Sequence, residues 1–316
     1  MLILGDDEED VKAFKEELQR KYELKDLGLV DKFLGMKVER GPGWMKLGQE
    51  HYVKELLERF GMDESHEVKT PAKCDLEEDM YREYVEVING TRLVNSDYDV
   101  RGAVGGLLYL VEMTRPDIAN TVRELSGYLE KPTTAVIKGI KHLFRYLKGT
   151  KEKGVMFKKG KDELEAYVDA SYAECRRTRR SVGAYVIMID DCIVDWKSKK
   201  QAIVAQSSTE AEYIALASVV NKLRIARSVR SWLRGEEGAY TVFEDNEACI
   251  KIADAATASM KRSKHIDVRY HVAREAVERG EITLRYINTN SQVADALTKD
   301  LGPMKFAEHV AKIVCE

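Results

Sequence analysis

Val204-Ala205-Gln206-Ser207-Ser208-Thr209-Glu210-Ala211-Glu212-Tyr213-Ile214-Ala215-Leu216 decides how the chain is read. It has the form of a long helix start: three hydroxyl residues run into two acids and then an apolar stretch. Ser and Thr side chains accept from the free N–H groups of a first helical turn, and early acids complement its positive end. Ser207 with Glu210, and Thr209 with Glu212, both have capping-box spacing. Each acid is open to two readings: a cap for the helix, or a ligand that meets carboxylates brought from elsewhere.

Outward from that stretch, the second half alternates strands and helices. Residues 163–170 read as a strand, and 181–189 with 192–196 as a hairpin around Asp190-Asp191. The long helix runs from about 208 to 234, followed by a strand at 240–243 and a helix at 246–253. A helix at 266–279 ends at Gly280, a fifth strand spans 281–287, and 293–298 begins a last helix. The order β-β-β-α-β-α-α-β-α implies an α/β fold: a mixed sheet with helices against it.

The first half differs in style. Met1-Leu2-Ile3-Leu4-Gly5 reads as the tail of a buried strand with its partner upstream. After an acidic lead-in at 6–10, Val11, Phe14, Leu18 and Tyr22 recur at helical spacing. Residues 33–39 and 44–47 read as a hairpin about Gly41-Pro42-Gly43, and 51–60 as a helix stopped by Gly61. The polar stretch 69–99 reads as a long connecting loop. Helical patterns follow at 102–113, from Pro116 to 129, and at 133–147. The Lys-rich stretch 152–160 reads as a linker, so two domains are expected, 1–160 and 161–316.

Composition narrows the function classes. A chain of 316 residues with 44% hydrophobic content can build real cores, and a net charge of −3 excludes a global basic field. Five scattered cysteines with no CxxC pair argue against a zinc module or disulfide framework and suit a reducing compartment. No apolar run approaches the ~20 residues of a membrane span, and no signal peptide is visible. The expected location is intracellular, cytoplasmic or nuclear.

Three aspartates fall where sheet proteins place active sites. Asp169 ends an apolar strand, where a charge is disfavoured and its burial needs a partner or metal. Asp245 ends another strand and precedes Asn246 at a helix start; Asp295 lies early in the last helix. Singly, the last two also serve as helix-terminus acids. Together the three suggest a hard-cation site, because clustered carboxylates repel unless a divalent ion holds them. Two such ions about 4 Å apart clamp the attacking and leaving oxygens of a phosphodiester. No nucleophile elbow, Walker loop or GxGxxG competes with that chemistry. Basic residues lie near these acids: Arg176, Arg177, Arg179 and Arg180; Lys197, Lys199 and Lys200; Lys222, Arg224, Arg227 and Arg230; and Lys261, Arg262, Lys264 and His265. They read either as a solvated surface or as phosphate contacts.

The motifs Tyr167-Val168-Asp169-Ala170, Arg180-Ser181-Val182-Gly183-Ala184-Tyr185, Ser207-Ser208-Thr209-Glu210-Ala211-Glu212-Tyr213, Glu244-Asp245-Asn246, Lys264-His265-Ile266-Asp267 and Ala294-Asp295-Ala296-Leu297-Thr298-Lys299 resemble the ribonuclease H domain of Copia-type LTR retrotransposon polyproteins. Lys25-Asp26-Leu27-Gly28, Phe33-Leu34-Gly35, Thr114-Arg115-Pro116-Asp117-Ile118 and Leu143-Phe144-Arg145-Tyr146-Leu147-Lys148-Gly149-Thr150 resemble the reverse transcriptase region just upstream.

That resemblance implies a five-stranded mixed sheet flanked by helices, preceded by a mostly helical thumb and connection remnant. It implies magnesium-dependent endonucleolytic hydrolysis of the RNA strand of RNA–DNA hybrids, with two Mg²⁺ ions and Mn²⁺ as a substitute. The family's carboxylates map onto Asp169, Glu212, Asp245 and Asp295: Asp169 between both ions, Glu212 and Asp245 on the leaving side, Asp295 with the attacking water. Glu212 is thereby the ligand, and Glu210, two residues away on another side of the helix, the capping acid. Ser208, Asn246, Lys264, His265, Arg180 and Lys199 are the implied nucleic-acid contacts. The loop Asn288-Thr289-Asn290-Ser291 lacks the His that many ribonucleases H carry there. The resemblance puts the polymerase carboxylates upstream of Met1, so no polymerase active site is expected. Partners implied are hybrid nucleic acid and an upstream reverse transcriptase segment, with no membrane. A non-catalytic binding remnant, and a polymerase component that needs an upstream palm, stay open beside the nuclease.

Overall fold

A computed structural model of the chain describes residues 2–5, 7–91, 97–160, 163–234, 239–254 and 272–315. Residues 2–5 form no strand, and Leu4 is 83% exposed. The expected buried strand is therefore absent: among the described residues, no strand pairs with 2–5. Helix α1 (Glu8–Lys21) is capped by Asp7, whose side chain accepts from the Glu9 N–H, yet none of its residues is buried.

Strands β1 (Lys32–Phe33), β2 (Met36–Gly41) and β3 (Trp44–Gly48) form antiparallel pairs. The β2–β3 hairpin turns at Pro42-Gly43, where Gly43 has φ of 75°, as a Pro-then-Gly turn requires. The expected linker is instead strand β4 (Gly154–Lys158), paired along the whole of β3. A Cβ on Gly154 would lie 2.2 Å from the Leu47 carbonyl oxygen, so only glycine fits there. Five residues flanked by lysines carry too short an alternation to announce a strand.

Helices α2 (Glu50–Arg59), α4 (Val100–Met113), α5 (Ala119–Ser126) and α6 (Thr134–Gly149) fall close to their expected places. The expected long loop contains α3 (Leu76–Ile88), which buries Leu76 and Met80. Its acids dilute the apolar stripe, and α6 supplies the packing partner that the periodicity lacks. Glu83 of α3 accepts from the Ala135 N–H at 2.7 Å, adding to the Thr133 cap of α6.

A charged network lies inside this helical half. Arg115 is 1% exposed and grips both oxygens of Asp117 at 2.9 and 2.7 Å. It also donates to the Thr150 carbonyl and hydroxyl at 2.9 and 2.7 Å, while the Tyr146 hydroxyl donates to Asp117 at 2.7 Å. Burial alone would raise the Asp117 carboxyl, but the Arg115 guanidinium holds it below its ordinary value.

The second half contains β5 (Leu164–Ser171), β6 (Val182–Ile189), β7 (Cys192–Lys200), α7 (Ser208–Arg234), β8 (Tyr240–Glu244), α8 (Glu247–Asp254), α9 (272–278) and β9 (Ile282–Tyr286). Its sheet order is β7-β6-β5-β8-β9, antiparallel through β7, β6 and β5 and parallel through β5, β8 and β9. This is the five-stranded mixed sheet flanked by helices that the resemblance implies. Asp190 and Asp191 turn the β6–β7 hairpin with φ of 51° and 62°, the left-handed pair that a two-residue hairpin favours. Residues 293–297 form a 3-10 turn rather than the start of a helix, and α10 (Pro303–Val310) follows.

Two apolar clusters sandwich the sheet. Val168, Ala170 and Ile187 pack with Tyr213, Leu216 and Val220 of α7. Ala184, Val186, Met188 and Ile193 share a cluster with Val104, Leu110 and Leu143 of the first half and Phe306 of α10. Trp196 Nε1 donates to the Val111 carbonyl at 2.7 Å, and the backbones of Gly154 and Cys315 bridge. Among the described residues, no helix is long and apolar enough to cross a membrane.

Candidate active site

β5 and β8 run parallel, and their carboxyl ends deliver Asp169 and Asp245 side by side. Such ends are where open mixed sheets place ligands. Helix α7 adds Glu212. Its start is built by Ser207, whose hydroxyl accepts from the Glu210 N–H at 3.1 Å, while Glu210 reaches back to the Gln206 N–H at 2.7 Å. That is a capping box shifted by one residue, and it leaves Glu212 to turn inward. Gly183 lets the helix lie close: a Cβ there would stand 3.2 Å from the Ala215 Cβ.

One oxygen each from Asp169, Glu212 and Asp245 lies within 4.8 Å of the others. Asp169 is 1% exposed and Glu212 6%. Asp295 joins from the other side through Lys299, whose Nζ is 3.2 Å from Asp169 and 2.6 Å from Asp295. Lys305 takes the second Asp295 oxygen at 2.8 Å, and the Thr298 hydroxyl donates to the second Asp169 oxygen. The structure thus brings Asp169, Glu212 and Asp245 together and ties Asp295 to Asp169 through Lys299.

The electrostatics are those of excess negative charge. Burial first, then Asp295 and Asp245, raise the Asp169 carboxyl against the pull of Lys299 and Thr298. Burial pushes Glu212 well above the usual range, helped by Glu244, Asp169 and Asp245. Glu244, fully buried beside Asp245, is pushed up to about 8, mainly by burial. Burial opposes the charge on Lys299, but Asp169 and Asp295 hold its ammonium above the usual lysine range. Glu212 Oε2 and Glu244 Oε2 have no hydrogen-bond partner among the described residues.

The other implied contacts divide. Ser208, Arg180 and Lys199 are exposed. Lys199 pairs with Gly183, and Arg180 lies just before β6, so both sit at the sheet end that carries Asp169. Asn246 is partly buried and accepts from the Cys249 N–H at 3.0 Å, capping α8. Lys264 and His265 lie outside the described residues. Several of the basic residues near the acids are engaged internally: Arg176 pairs with Glu77 and Glu78, Lys197 with Glu112, and Arg224 with Glu275 and Glu281.

Five supporting residues escape sequence reasoning. Gln292, fully buried, donates to the Val168 carbonyl at 2.9 Å and anchors the Asp295 turn to β5. Thr289 donates to Asp245 at 2.8 Å from the loop that lacks a histidine. Lys299 is four residues beyond Asp295, an acid–base spacing that carries a signal; Lys305 and Thr298 carry none. Glu244 was legible as well, since it continues the inward alternation of Tyr240 and Val242.

Residues 1–74 match the reverse transcriptase (RNA-dependent DNA polymerase) family. The chain is 34% identical over 310 residues to the retrovirus-related Pol polyprotein from transposon TNT 1-94 of Nicotiana tabacum, covering 97% of this chain and 23% of that protein. It is 32% identical over 315 residues to the corresponding polyprotein from transposon RE1 of Arabidopsis thaliana, covering 99% of this chain and 21% of that one. The chain therefore spans less than a quarter of the length of these relatives. Among solved structures, a ribonuclease H1 isolated from compost is 17% identical, with a TM-score of 0.34 over 43% of this chain and 93% of that one. Over nearly its whole length, the chain is a homologue of one segment of Copia-type retrotransposon Pol polyproteins.

Proposed function

We propose that the chain carries the ribonuclease H of a Copia-type Pol polyprotein, a divalent-cation-dependent nuclease that cleaves the RNA strand of RNA–DNA hybrids inside the cell. The observation that carries this reading is the convergence of Asp169, Glu212, Asp245 and Asp295, with one Glu212 oxygen buried and unmatched. The donor set fits a hard cation: carboxylate oxygens alone, of which three lie within 4.8 Å. Ligand oxygens on one Mg²⁺ stand at most about 4.2 Å apart, so a small inward shift of the side chains suffices.

Asp169, Glu212, Asp245 and Asp295 are the residues to hold Mg²⁺, or Mn²⁺ in its place. When bound, such a cation supplies charge stabilisation at the phosphodiester oxygens and a water acid enough to attack at neutral pH. Gln292 and Thr289 keep Asp295 and Asp245 aimed at the site. Arg180, Lys199 and Ser208 present the exposed rim to the hybrid backbone, and a backbone-reading rim gives little sequence preference. Residues 1–160 are the reverse transcriptase part and 161–316 the nuclease.

The test is cleavage of a labelled RNA–DNA hybrid with and without Mg²⁺, beside duplex DNA and duplex RNA. Cleavage of the hybrid alone, lost in Asp169→Asn, is the expected result. No cleavage by the pure protein, with Asp169→Asn indistinguishable, ends the enzyme reading. A second reading, a polymerase component that works with an upstream palm, is favoured by the family match at residues 1–74. Primer extension restored by adding an upstream fragment distinguishes it.

A further inference from the structure

The four carboxylates are not equivalent. Asp169, Glu212 and Asp245 turn oxygens toward one another within 4.8 Å. Glu212, 6% exposed, leaves Oε2 without a donor among the described residues. That trio is open to a cation. Asp295 stands outside it, and both its oxygens are taken, by Lys299 at 2.6 Å and Lys305 at 2.8 Å. Asp169 contributes to both sides: Lys299 holds its Oδ1 at 3.2 Å, and Thr298 its Oδ2.

An ammonium between two carboxylates does electrostatically what a divalent ion does there. It cannot share the space, because its nitrogen, 3.2 Å from Asp169 and 2.6 Å from Asp295, stands where an ion bridging those two carboxylates would have to sit. We infer that Lys299 holds the Asp169–Asp295 position against a second divalent ion. The chain then takes one ion tightly at Asp169, Glu212 and Asp245, and a second only when Lys299 withdraws. The Lys299 side chain is 34% exposed, so its head can swing to solvent on a flexible stem without backbone movement. Lys305 differs: it meets Asp295 only, so its removal leaves Lys299 in place. This inference rests on the metal-site reading of the previous section.

Titrating Mn²⁺ into the full chain, by calorimetry and by the resonance signal of the free ion, tests it without any activity assay. Wild type is expected to bind one Mn²⁺ at least about tenfold more tightly than a second. In Lys299→Met the second ion should tighten by about tenfold or more, with the first unchanged within about twofold. Lys305→Met should leave both affinities near wild type. Lys305 still anchors Asp295 in Lys299→Met, which favours folding; if circular dichroism shows otherwise, Lys299→Gln is read in its place. A second-ion affinity within about twofold of wild type in the folded Lys299 variant overturns the inference, as do two equal ions in wild type. Wild type that binds no Mn²⁺ overturns the metal-site reading itself, and so tells the two failures apart.

Discussion

Two sets of buried charges in this chain follow opposite rules. In the helical half, Arg115 and Asp117 balance one another, and no polar side-chain atom of Arg115, Asp117 or Tyr146 is left unmatched. In the sheet half, the buried Asp169, Glu212, Glu244 and Asp295, with the partly buried Asp245, face two ammoniums, Lys299 and Lys305, and Glu212 Oε2 and Glu244 Oε2 have no partner among the described residues. Burial of charge is common to both. Incompleteness is what separates them: the first set is finished by the fold, while the second keeps negative charge that the fold does not balance.

The sharpest way to break this contrast is to neutralise one member of each set. Glu212→Gln should abolish hybrid cleavage and keep the fold, because it removes a carboxylate that the protein leaves partly unpaired. Cleavage and thermal unfolding measured together decide it; an unfolded variant would move Glu212 to the structural set. Asp117→Ala should cost about 3–5 kcal/mol in denaturant unfolding, since it strands the buried Arg115 guanidinium. A cost below about 1 kcal/mol would show that this network is not what holds the helices.

The two sets also part with pH. Burial first, with Asp245 and Asp169, pushes Glu244 from 4.5 up to about 8. A folded chain that keeps this proton gains stability fully present below 4.5 and lost as pH rises through about 8. Without divalent ions the protein should therefore melt lower at pH 8.5 than at pH 5.5, and Glu244→Gln should flatten the difference. Asp117 is lowered from 3.8, so its contribution stands above that value and is lost only on further acidification. Asp117→Ala should leave the slope between neutral and alkaline pH unchanged; a changed slope would couple the two sets.

Mg²⁺ at ten times its dissociation constant should stabilise the chain by about 1.4 kcal/mol. Asp245→Asn should lose most of that shift. The smallest effect sharpens the division within α7: Glu210→Ala should cost about 1 kcal/mol through the cap and leave cleavage intact. Equal loss of activity from Glu210→Ala and Glu212→Gln would show that capping and site are one device.

Local signals carried much of this. The strand order, the hairpin at Asp190-Asp191 and the α7 start were legible because each is set by period, turn chemistry or capping within a few residues. Of the candidate carboxylates, Asp169 stood out because an Asp at the end of an apolar strand has no local reason to be there; Asp245, Asp295 and Glu212 each had a helix-capping reading as well. Where local signals misled, a distant partner decided. Val11, Phe14 and Leu18 have a helical stripe, yet α1 buries none of it. Residues 76–88 look like polar loop but pack on α6, and 154–158 look like linker but pair with β3.

By itself, then, the sequence determined the type of each strong element, the placing of Glu210 and Glu212 on different sides of one helix, and the acids available to the site. The tertiary structure alone decided which charges are balanced. Lys299, Lys305 and Thr298 reach Asp169 across more than a hundred residues or join it through Asp295. Gln292 likewise meets Val168 from a distant turn. A carboxylate's state depends on every charge and donor within a few ångströms, and those neighbours exist only once the chain has closed on itself.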